Sequence, residues 1–145
     1  MSRATREQVY AALFNLLGTL PGLKTVSRRL QNAQDMQPEG FPAAFQLQGK
    51  QAAKYSGNTP SIYTWRADWL LYAHNSDQTV SPTTQLNALI DAATALLVPA
   101  PSTNRQTLGG LVEYCAIDGD IEVFEGILGD RSIAILPISI LLPGF

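Results

Sequence analysis

Chemistry-bearing side chains in this sequence gather at three places. Asp118, Asp120, Glu122, Glu125 and Asp130 put five carboxylates into one short stretch, the only grouping dense enough to suggest a divalent cation. Read as a calcium loop starting at Asp118, the stretch fails: Val123 stands where the sharp turn needs Gly, and Gly129 where the bidentate Glu belongs. Solvated hairpin carboxylates, or an acidic contact patch made by Asp118, Asp120, Glu122 and Glu125, account for it better. His74 is the single histidine, so no His-paired zinc site can form. A Ser-His-Asp arrangement would rest on His74 alone at a strand end, with Asp68 or Asp77 behind it. The single cysteine, Cys115, excludes an intrachain disulfide and a thiolate metal cluster, and its apolar surroundings predict a buried thiol.

The remaining motifs carry no phosphate or nucleic-acid chemistry. Gly109-Gly110 lacks the lysine and hydroxyl of a phosphate loop, and Gly126-Ile127-Leu128-Gly129 lacks dinucleotide spacing, so both read as turns. Arg28 and Arg29 with Lys50 and Lys54 make at most a modest basic patch. Trp65 and Trp69 share one face of a strand, a placement that serves a core better than a base-stacking platform. The expectation is a protein with no catalytic residues, no metal ligands and no cofactor.

These residues must be positioned by a chain of 145 residues with a formal net charge of −2. That length predicts one domain over residues 1–145, able to bury roughly 70% of its unfolded surface without cross-links. The charge balance gives no broad footprint for nucleic acid or anionic lipid, which argues against sequence-specific nucleic-acid binding. Residues 1–7 lack the features of a signal peptide. No window reaches the roughly eighteen uninterrupted apolar residues of a membrane span.

Taken in order, Ser2 is a candidate N-cap for a helix over residues 3–17, where Val9, Ala12, Leu13, Leu16 and Leu17 recur at helical spacing. Residues 23–30 read as a first strand, residues 31–40 as a loop, and residues 41–48 as a half-buried strand. Residues 49–60 read as a second long loop suited to contact. The clearest strand follows, with Tyr63, Trp65, Ala67, Trp69, Leu71 and Ala73 on one face and Thr64, Arg66, Asp68, Leu70, Tyr72 and His74 on the other. Thr83 or Thr84 caps a second helix that ends before Pro99, and residues 99–107 form a loop. Residues 111–117 read as a strand, Asp118-Gly119 as a two-residue hairpin turn, and residues 120–126 as its return arm. Without a βαβ repeat, the economical architecture is α+β: a mixed, largely antiparallel sheet with two main helices on one side.

The last strand, residues 131–142, is apolar on both faces. Pro137 lacks the N–H of a central ladder position, which predicts a sheet edge or a bulge there. Two readings stand: a core strand covered by the chain's own helices, or an apolar edge covered in part by another subunit. In the second, Leu136, Pro137, Ile138 and Ile140 are the subunit-interface candidates.

The order of signals resembles bacteriophage tail terminator proteins, also called tail completion or minor tail protein U-like proteins. The resemblance runs from about Phe41 onward. It is carried by Phe41-Pro42-Ala43-Ala44-Phe45, the aromatic strand from Trp65 to Tyr72, Leu86-Asn87-Ala88-Leu89-Ile90-Asp91-Ala92, Leu108-Gly109-Gly110-Leu111-Val112, Ile117-Asp118-Gly119 and Ala134-Ile135-Leu136-Pro137-Ile138. It implies a small structural subunit that forms a homo-oligomeric ring, typically a hexamer, on the finished tail tube. Such a ring stops tube polymerisation and presents a surface to the head–tail connector. The implied location is the virion tail, assembled in the bacterial host cytoplasm, with the tube protein and the connector as partners and no membrane. On this expectation Arg28, Arg29, Lys50 and Lys54 face the tube or its lumen. The alternatives are a head–tail connector or stopper, and a small hydrolase or ligand-binding domain using His74.

Overall fold

The alternation from Tyr63 to Ala73 becomes the middle of a six-stranded sheet, in a computed structural model that describes residues 4–81, 83–98, 105–127 and 129–143. Helix α1 (Arg6–Leu17) is followed by strands β1 (Thr25–Ser27), β2 (Ala43–Ser56) and β3 (Thr59–His74), helix α2 (Thr83–Leu97), and strands β4 (Tyr114–Ile117), β5 (Glu122–Ile127) and β6 (Arg131–Pro143). The sheet order is β1-β2-β3-β6-β4, with β5 also on β6. Among the described residues only β1 and β2 pair in parallel. The fold is therefore α+β with a mixed, largely antiparallel sheet, as the periodicity implies.

Both helices lie on one face. Val9, Tyr10, Leu13 and Leu17 of α1 and Leu86, Leu89, Ala93 and Leu97 of α2 bury against Trp65, Ala67, Trp69, Leu71 and Ala73 of β3 and alternate residues of β6. Burying a side chain of this size contributes about 1.5–3 kcal/mol, so this face carries most of the stability. A polar pin fixes α1 on it: buried Gln46 accepts from Trp69 Nε1 at 3.0 Å and donates to the Tyr10 carbonyl at 2.9 Å. The Tyr10 ring stacks on Trp65 with centroids 6.0 Å apart, and its hydroxyl donates to the Arg66 carbonyl. Burial holds the Tyr10 phenol above its ordinary pKa, against the lowering effects of Gln51 and Arg6.

The N-cap of α1 is Thr5, which exchanges hydrogen bonds with Gln8 in a capping box. The Ser2 cap and the start at Arg3 lie outside the described residues. At α2, Thr83 is already helical and its backbone N–H donates to Ser81 Oγ, while residue 82, just before the helix, lies outside the described residues. Of the loop expected at residues 99–107, residues 99–104 lie outside the described residues.

Residues 31–40 are packed, where sequence suggested a free loop. Two 3₁₀ turns, Ala33–Asp35 and Pro38–Gly40, lay Ala33, Met36 and Phe41 over Phe45, Leu70 and Tyr72 on the helix-free face. Tyr72 Oη donates to the Gln31 carbonyl at 2.8 Å. Polar composition hid this cover, because only Ala33 and Met36 of the segment are buried beside Phe41.

The second long loop does not exist. Residues 49–60 continue β2 and turn at Gly57 and Asn58 into β3, giving a hairpin arm paired from Gln51↔Trp65 out to Ser56↔Thr59. Gly57 sits at φ +66°, the left-handed region such a turn demands.

The Asp118-Gly119 hairpin is also corrected. β4 and β5 do not pair with each other; both run antiparallel along one edge of β6, β4 on residues 138–141 and β5 on residues 131–135. They form one edge strand interrupted at residues 118–121, opposite Pro137. Strand β6 is thus interior to the sheet, not an edge. The Pro137 carbonyl accepts from Asp118 N–H at 3.0 Å, so its missing donor points into that same interruption. The proline is tolerated because its neighbour bends away where a ladder bond would be due.

Candidate functional site

His74 closes β3 with its Nε2 2.9 Å from Asp130 Oδ2 and its ring 5.5 Å from that of Phe41. Its partner is Asp130, and neither Asp68 nor Asp77 is joined to it. Asp77 instead accepts from Thr79 N–H at 2.9 Å and Thr79 Oγ1 at 2.7 Å, and these bonds hold its carboxyl below the usual pKa. A hollow of about 430 Å³ lies beside the pair, lined by Asn75, Ser76, Asp77, Gln78, Val80, Gly129 and Asp130. The pair ties the end of β3 to the β5–β6 turn, and no hydroxyl or thiol nucleophile is hydrogen-bonded to His74 among the described residues. Cys115 is buried, and desolvation pushes its thiol up to about 12, so it offers no thiolate at neutral pH.

The acidic residues spread out along the interrupted edge. Asp118 is held by Arg66, whose guanidinium reaches the Asp118 carbonyl at 2.7 Å and Oδ2 at 3.2 Å. Glu125 accepts from the Ser81 and Thr83 hydroxyls. Asp120 and Glu122 are exposed. Among the described residues no group of three His, Cys, Asp or Glu side chains converges as a metal site.

The basic candidates divide. Arg28 is engaged at the foot of the arm, donating to Glu7 at 2.7 Å and Gln48 at 3.0 Å, and so links the stretch after β1 to α1 and β2. Arg29 is exposed beside it. Lys50 and Lys54 are exposed on the arm itself.

The subunit-interface candidates require correction. Leu136, Ile138 and Ile140 are fully buried beneath the two helices of their own chain. With one parity of β6 facing that core, only Pro137 of the four turns to the helix-free face, where it is half-buried. The apolar character of β6 reflects an interior strand, so these three side chains have no surface to offer a neighbour.

Surfaces that are available were missed by sequence reasoning. Beyond Leu47 every residue of β2 is exposed, and Tyr55 at 61% and Ile62 at 38% leave apolar area open on the arm. At the other end of the sheet Val123 and Phe124 of β5 are 45% and 41% exposed. Gly57-Asn58 is a hairpin signal that marks the arm, but the low hydrophobicity of its flanks conceals the strands.

Among the described residues no helix is long and apolar enough to cross a membrane. Neither a scan against protein-family models nor a search of curated proteins returns a match for this chain.

Proposed function

We propose that this protein is a structural subunit of a phage tail, a terminator that assembles as a ring on the completed tube, stops its growth and presents the head-joining surface. The observation that supports this most is the arm. From residue 48 to residue 56 β2 lies exposed along the outer side of β3, and beyond the Ile62↔Pro143 pair the two strands continue alone to their turn. An exposed edge strand of this length is a ready surface for pairing with another chain. The arm carries Lys50, Lys54, Tyr55 and Ile62, a mixture of charge and open apolar area suited to a protein contact. The order of motifs from Phe41 to Ile138 supports the same reading.

The mechanism needs one face that copies the docking surface of the next tube ring and one that does not. A subunit with that asymmetry ends polymerisation by occupying the growing end. Adding the purified protein to polymerising tube subunits and measuring tube lengths by electron microscopy tests this, with shorter, capped tubes expected. A protein that remains monomeric and leaves tube length unchanged sinks the proposal. Particles made without it should carry overlong or headless tails; leaking heads on normal tails would instead assign it to the head stopper.

A further inference from the structure

We infer that the two free edges of the sheet recognise each other, the acidic β5 edge of one copy docking on the β2 side of the arm of the next. The inference rests on the ring-forming reading above and names the junction that such a ring requires. Sheet order places the two edges at opposite ends: β5 is held by β6 on one side only, and β2 beyond Phe45 has no strand on its outer side among the described residues.

Charge then distinguishes the edges. Residues 49–62 carry two charges, both lysine, whereas residues 118–130 carry five carboxylates and no cation. Charges at a sheet edge commonly serve to prevent strand addition. That purpose is met when both edges bear the same sign, because a second copy is then repelled. Here the signs are opposite, so edge-to-edge approach of two copies is attractive.

The side chains also fall on matching faces. Lys54 opposes Ile62, which shares the face of Leu70 and Tyr72 along β3; Glu122 and Phe124 oppose Ile135 and Ile133, which pack on that same helix-free face. A sheet continued from β5 into β2 keeps its faces in line, which brings Lys54 to the side of Glu122 and covers Phe124 and Ile62 together. The contact joins unlike surfaces, so it propagates head to tail, and a ring results when the rotation per junction closes.

Charge exchange tests the junction. K50E/K54E alters the arm alone and D120K/E122K the β5 edge alone, all at exposed positions, with circular dichroism confirming the fold. In low salt the wild type should self-associate, each variant alone should associate about tenfold or more weakly, and the mixture should recover assembly because both junctions then pair opposite charges. A second construction, K54C/E122C, should give a ladder of disulfide-linked oligomers on oxidation, the buried Cys115 staying silent. Wild-type protein that is monomeric at every concentration, or variants that assemble like the wild type, overturn the inference. Tube capping is scored separately: capping retained by K50E/K54E removes this junction and leaves the terminator reading, whereas oligomers that obey the charge exchange but never arrest tubes do the reverse.

Discussion

Gly119 lies directly against Pro137: a Cβ built on Gly119 would stand 3.2 Å from Pro137 Cγ, on a backbone at φ +125°. The contact marks where β6 lacks a donor and its edge partner breaks into β4 and β5. Two irregularities, one in each strand, are thereby fitted to each other. Gly119→Ala must suffer both the backbone strain and the collision, so it should cost about 1–3 kcal/mol. Gly57→Ala, with nothing within 4 Å, bears the left-handed strain alone and should cost about 1–2 kcal/mol. Urea midpoints of the two variants compare them, and equal losses would show that the proline contact is immaterial.

Ile140 tests the correction made to β6. Because it is fully buried in the chain's own core, Ile140→Ala should lower stability by about 2–5 kcal/mol, and Ile140→Asp should abolish the folded state. Thermal denaturation followed by circular dichroism reads both. A folded, monomeric Ile140→Asp protein would return this residue to the subunit interface.

The two tryptophans are equivalent in burial but not in bonding. Trp69 Nε1 donates to Gln46, whereas Trp65 Nε1 is buried without a hydrogen-bond partner among the described residues. Trp69→Phe should therefore cost about 1–3 kcal/mol more than Trp65→Phe, since it leaves the Gln46 carbonyl oxygen unsatisfied. Paired urea titrations give the difference directly. Equal costs would mean that the pin does not hold α1.

Alkaline pH should loosen the fold. The Cys115 thiol is pushed from 9.0 to about 12 by desolvation, and the Tyr10 and Tyr72 phenols are raised by the same cause. For each, the folded state binds its proton more tightly than the unfolded chain does. The stability they contribute is complete below the unfolded values and is lost as pH rises through the folded ones, for Cys115 between about 9 and about 12. Denaturation midpoints should fall across that window, less steeply in Cys115→Ala. At pH 8 the thiol should react with Ellman's reagent only on unfolding; rapid reaction of the native protein would contradict its burial.

Arm and body should separate in function. Replacing residues 55–61 with Asn-Gly keeps the Lys54↔Ile62 pair as the last before a two-residue turn. Residues 55–58 are exposed and belong to neither buried cluster, so stability should change by about 1 kcal/mol or less, while arrest of tube growth should be lost. Melting curves and tube lengths check the two halves. Full capping by the trimmed protein would remove the tip of the arm from the mechanism.

The parts legible in sequence were those written in strict periodicity. The Trp65–Ala73 alternation gave the buried face of β3, and the stripes through Leu13 and Leu89 gave both helices. Residues 49–60 misled because Gly49, Lys50 and Ser56 show no alternation when neither face is buried, and hydrophobic pattern records burial rather than backbone. The register shift between Gln48 and Gln51 further scrambled the period. The missing N–H of Pro137 implies an unpaired position, hence a sheet edge or a bulge, and the unpaired position arises from a break in its neighbour. The partner of His74 was invisible for another reason: Asp130 reaches it only through the long-range pairing of β3 with β6.

That pairing also sets an order of events. Residues 62–74 find their partners in residues 131–143, and both β4 and β5 lean on the same late strand. Contacts so distant along the chain form slowly. During synthesis the tryptophan-bearing hairpin emerges first and waits with one wall of its core missing, a species that favours chaperone capture. The β5 edge is not formed until β6 has been made, because β5 pairs with that strand. If the two edges do meet as proposed, association is confined to subunits whose last described strand has been made and paired.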